Sequence, residues 1–75
     1  MDLGELPPHT PGRVRAVGLE PAHRLRLAEL GIRPGARLRV THRAAFGGRV
    51  LAVGADRFAL DATTCARIQV DAEPA

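Results

Sequence analysis

Apolar and polar positions alternate along this chain in short bursts, which is the period of half-buried β-strands. Arg13-Val14-Arg15-Ala16-Val17 sets basic side chains against apolar ones. Ala36 to His42 alternates more strictly: Leu38 and Val40 face inward, His42 follows their parity, and Arg37, Arg39 and Thr41 face out. Val50 to Val53 and Phe58 to Leu60 are shorter apolar strands joined at Gly54-Ala55-Asp56-Arg57, and Arg67-Ile68-Gln69-Val70 alternates again as a closing strand. Helical spacing occurs over Pro21 to Leu30, where Pro21 suits the first helical position and Gly31 is a natural C-cap. Leu27 and Leu30 share a face with His23, while Leu25 points the other way. Ala62 to Ala66 is long enough for one tight helical turn.

The breaks between these segments carry turn chemistry. Thr10-Pro11-Gly12-Arg13 and Arg33-Pro34-Gly35-Ala36 both place Pro second and Gly third, the requirement of a type II turn. Phe46-Gly47-Gly48-Arg49 reads as a hairpin-type connection. The pattern therefore predicts a mostly β domain over residues 1–75, a small barrel of five to six short strands with one short inserted helix. Closing the sheet on itself is how so short a chain avoids exposed edges. Val14, Leu27, Leu30, Leu38, Val40, Val53, Leu60, Ile68 and Val70 are the expected core, and Asp71 to Ala75 a frayed polar tail.

Composition narrows the function. Seventy-five residues leave no room for an ordinary enzyme fold around a deep cleft. The eleven basic residues are all Arg and outnumber the acids by three, but the two signs are interspersed, so a solvated mixed-charge surface is expected. The single Cys65 cannot form an intrachain disulfide. Met1 to Pro8 has neither a basic leader nor an apolar signal segment, and Val50 to Ala55 is far short of the ~18 residues of a membrane span. A cytoplasmic location without membrane insertion is expected.

Candidate chemistry is sparse. No nucleophile–base arrangement, phosphate loop, paired carboxylates or cofactor motif is present, so no catalytic residue and no cofactor are expected. His9, His23, His42 and Cys65 are metal-ligand types, but no two stand at ligand spacing, and no metal site is expected. Nucleic-acid binding, suggested by the Arg-x-Arg strands, is weakened by the aromatic count. Phe46 and Phe58 are the only aromatics, and both are expected in the core, which leaves no platform for stacking bases.

Arg26-Leu27-Ala28-Glu29-Leu30-Gly31-Ile32-Arg33-Pro34-Gly35 closely resembles the central R-L-x-E-L-G-[LI]-x-P-G motif of FeoA-like proteins, small accessory components of bacterial ferrous iron transport. The resemblance extends to residues 3–70, through Leu3, Leu6, Gly12, Val14 and Val17 upstream and Leu38, Val40, Phe58, Leu60, Ile68 and Val70 downstream. It implies an SH3-like barrel with a helical insertion. It further implies a non-catalytic role beside the FeoB-type membrane transporter, which carries a cytosolic GTPase domain. Asp61 stands where the family commonly has Arg, and Cys65 where a small Ala is common, which favours a small buried side chain. Two rivals remain: a small nucleic-acid-binding barrel, and a metal-sensing module like the C-terminal domain of iron-dependent repressors. For the partner-binding surface, the expected residues are Arg24, Leu25 and Arg26: one outward leucine rimmed by guanidinium groups.

Overall fold

The computed structural model describes residues 1–74. Five antiparallel strands form one sheet in the order β4-β3-β2-β1-β5: β1 (Pro11–Val17), β2 (Arg37–Arg43), β3 (Arg49–Val53), β4 (Asp56–Leu60) and β5 (Ile68–Ala72). Helix α1 (Pro21–Glu29) is inserted between β1 and β2, and the one-turn helix α2 (Ala62–Ala66) joins β4 to β5. No ladder links β4 to β5 among the described residues, so the barrel is completed by packing and not by a closing row of hydrogen bonds. The N-terminal segment covers part of the β5 edge: Val70 donates its N–H to the Met1 carbonyl at 2.9 Å, and Asp2 bridges to Gln69.

Strand register follows from the alternation. Leu38 and Val40 on β2, Leu51 on β3, Val14 and Val17 on β1, and Ile68 and Val70 on β5 point into one apolar cluster. A bulge between Val40 and His42 inserts Thr41, which breaks the parity and turns His42 outward. Glycine matters at two turns. Gly35 has φ of +91° and lies third in a turn closed by the Ala36 N–H donating to the Arg33 carbonyl at 3.0 Å, as the Pro-Gly pair predicts. Gly31, at φ +96°, ends α1 in a Schellman arrangement: the Ile32 N–H reaches the Leu27 carbonyl at 2.8 Å and the Gly31 N–H reaches Ala28 at 3.0 Å.

Several expectations change. The Thr10–Arg13 turn does not form, because Pro11 and Gly12 already belong to β1, and Gly12 is needed for space instead. A Cβ there would come within 2.8 Å of the buried Leu6 side chain. Leu30 is 39% exposed, and its place below Leu27 is taken by Ile32, which the Schellman turn swings fully inside. Val53 and Leu60, near strand ends, are half-buried. Leu3, Leu6, Leu51 and Cys65 complete the core, with Leu3 and Leu6 brought together by a 3₁₀ turn over Leu3–Glu5. Phe58 packs partly buried against that core, whereas Phe46 is wholly exposed, in a loop at φ +57°. The tail is also more ordered than its polarity implies. β5 runs to Ala72, and the Glu73 carboxylate bridges Arg37 Nε at 2.9 Å and Arg13 Nε at 3.2 Å.

Candidate partner-binding surface

Helix α1 is held to the barrel through one buried side chain, Leu27. At about 100° per residue, Leu25 lies roughly 160° from Leu27 around the helix, so burying one exposes the other. Leu25 is accordingly 63% exposed. Arg24 and Arg26 fall on either flank of it, both exposed, and neither has an ion-pair or hydrogen-bond partner among the described residues. Arg26 also lies in the last helical turn, where a cation is favoured by the helix dipole. The three residues expected to bind a partner thus form one contiguous surface strip, an apolar tip between two guanidinium groups.

Beside the first turn of α1 a groove of about 480 Å³ runs to α2, bounded by Leu19, Glu20, His23, Asp61, Thr64 and Arg67. Asp61 is the N-cap of α2, and its carboxylate accepts the Thr64 N–H at 3.0 Å. The hydrogen bonds from Thr64 hold the Asp61 carboxyl below its ordinary range, with a smaller contribution from the nearby His23. Asp61 therefore serves this chain as a helix cap. Among the described residues, no group of three or more His, Cys, Asp and Glu side chains is gathered to hold a metal ion. His9, His23 and His42 lie apart on exposed positions.

Cys65 is buried next to Leu3 and Leu6 in the core, and that burial pushes its thiol above the ordinary value. It is a packing side chain. Sequence reasoning misplaced Phe46. The signal available was its setting, Ala-Ala-Phe-Gly-Gly, with small residues on both sides and no alternation to carry it inward. Arg49 secures that loop, donating to the carbonyls of Gly47 at 2.7 Å, Gly48 at 2.9 Å and Gly4 at 2.8 Å. No helix among the described residues is long and apolar enough to cross a membrane.

The fold has close structural counterparts. A FeoA protein from Chlorobium tepidum superposes with a TM-score of 0.88 at 30% identity, over 96% of this chain and 70% of that one. A FeoA described as an iron uptake regulatory protein matches at TM-score 0.84 and 27% identity, over 97% and 96% of the two chains. The FeoA of Stenotrophomonas maltophilia, crystallised with zinc, matches at TM-score 0.79 and 38% identity over 95% and 89%. That protein is described as a prokaryotic SH3-domain protein, proposed to act as an activating factor of ferrous iron transport. A search of curated protein sequences gave no match. The curved five-stranded sheet with its helical insertion is thus an SH3-like barrel. The FeoA domain profile spans residues 1–72, nearly the whole chain, and with that sheet order and the Arg26–Gly35 motif it establishes that the chain belongs to the FeoA domain family.

Proposed function

We propose that this chain is a non-catalytic accessory protein of ferrous iron transport, working in the cytoplasm by docking on the cytosolic portion of a FeoB-type membrane transporter through Arg24, Leu25 and Arg26. The carrying observation is the construction of α1. A nine-residue helix anchored by Leu27 alone, with Leu25 standing free between two unpaired guanidiniums, is poorly explained by stability. Burying Leu25 against a partner would stabilise a complex by about 1.5–3 kcal/mol, and the flanking arginines would select an acidic rim around the receiving pocket. Family membership supplies the transport context.

Leu25→Gln in cells that depend on this chain for ferrous iron uptake tests the proposal. Leu25 makes no core contribution, so the variant should melt like the parent while uptake falls to the level of a strain lacking the chain. Normal uptake by a folded Leu25→Gln protein would refute the docking role of the strip.

A further inference from the structure

The outer face of the sheet carries a second arrangement, independent of α1. Direct cross-strand pairing sets Pro11, Arg39, Ala52 and Arg57 in one row across β1, β2, β3 and β4. Residues paired this way share a face, and with strands about 5 Å apart the Arg39 and Arg57 Cα atoms stand about 10 Å apart across Ala52. Both arginines are exposed, and neither has an ion-pair or hydrogen-bond partner among the described residues. Elsewhere on the same face the fold does neutralise its arginines: Glu73 bridges Arg13 and Arg37, and Asp71 lies 3.7 Å from Arg15. The Arg39–Arg57 pair is the exception. Between the two guanidiniums the floor is small and apolar, with Ala52 in the row and Val50 and Ala59 paired in the next. A depression of about 250 Å³ borders this row on the Arg39 side, lined by Pro11, Arg37, Arg39, Ala52 and Gly54.

We propose that this face binds an acidic, extended protein segment laid along β3 over Ala52, with carboxylates taken by Arg39 on one side and Arg57 on the other. Guanidinium forks match carboxylates bidentately, and the small floor lets a backbone approach closely. The same forks match phosphates, but the site is poorly made for nucleic acid. No aromatic lies in these rows to stack a base, and two free cations would release too few counterions for useful affinity, giving a salt slope of only about −1.4 on a single strand.

Amide and guanidinium NMR shifts during titration with an alternating Glu-Val octapeptide test the proposal, with its Gln-Val counterpart and a twelve-residue oligothymidylate as comparisons. The Glu-Val peptide should give saturable shifts at Arg39, Ala52 and Arg57, the Gln-Val peptide none, and the oligonucleotide weaker ones. Arg39→Gln/Arg57→Gln should weaken peptide binding at least ten-fold with the melting curve unchanged. If that double variant melts early, Ala52→Glu, which fills the floor with a like charge, must produce the same loss. Absence of saturable shifts, shifts centred on residues 24–26, tighter binding of the oligonucleotide, or retained affinity in a folded variant would each overturn the proposal. So would shifts at these residues that track protein concentration without any peptide, since they would make a second copy the occupant.

Discussion

Ile32→Ala and Leu30→Ala should separate sharply, though the two residues are neighbours in the most distinctive motif of the chain. Ile32 is fully buried, and truncation removes its outer side-chain carbons and leaves a cavity in the core cluster that it shares with Leu27. Large-to-small changes of this kind cost about 2–5 kcal/mol. A 75-residue domain unfolds with an entropy near 160 cal/mol/K, at about 2.1 cal/mol/K per residue, so the melting temperature should fall by roughly 13–30 °C. Leu30 is 39% exposed at the helix cap, so its loss opens no closed cavity, and the cost should be about 1 kcal/mol, or roughly 6 °C. Thermal melts of both variants by far-UV circular dichroism decide the matter. Equal melting temperatures, or a larger drop for Leu30→Ala, would refute the Schellman geometry that places Ile32 inside.

Other expectations follow from single environments. The Cys65 thiol, buried and raised above its ordinary 9.0, should react with a thiol reagent at pH 8 only as fast as the protein opens, and native labelling at the rate of a free thiol would contradict its position. Because the folded thiol holds its proton longer than the unfolded one, its contribution to stability is present below pH 9 and is lost as pH rises beyond it. Asp61→Ala should lower the melting temperature at pH 7, and since the folded carboxyl lies below its unfolded 3.8, the difference from the parent should persist above that pH and vanish as pH falls through the lowered value. An undiminished difference at pH 2 would show that the cap hydrogen bond is not its source. Phe46→Asn should raise stability by about 0.5–1 kcal/mol, because the exposed ring loses no burial and Asn tolerates the left-handed backbone at φ +57° better. A lower melting temperature would mean that the ring packs on its loop.

Much of the barrel was legible because its information is local. Arg37-Leu38-Arg39-Val40 alternates, Arg33-Pro34-Gly35-Ala36 carries its own turn chemistry, and Pro21 and Gly31 bracket the helix. The residues that escaped are those whose direction depends on a break in period. Ile32 enters the core through the reversal at Gly31, His42 leaves it through the bulge at Thr41, and Leu3 and Leu6 enter by a 3₁₀ turn in a segment without strand alternation. The outward position of Leu25 follows from helical geometry once Leu27 is placed inside. The Arg39–Arg57 row needed the strand register, which no local pattern contains.

Direct binding of this chain to the isolated cytosolic portion of a FeoB-type transporter tests the central claim most closely. Isothermal titration with the parent and with Leu25→Gln, each confirmed folded by its melting curve, gives the comparison. Saturable binding by the parent is predicted, with at least a ten-fold loss in the variant, the equivalent of about 1.4 kcal/mol. Equal affinity for the two proteins, or no binding by the parent at concentrations near a millimolar, would contradict the account.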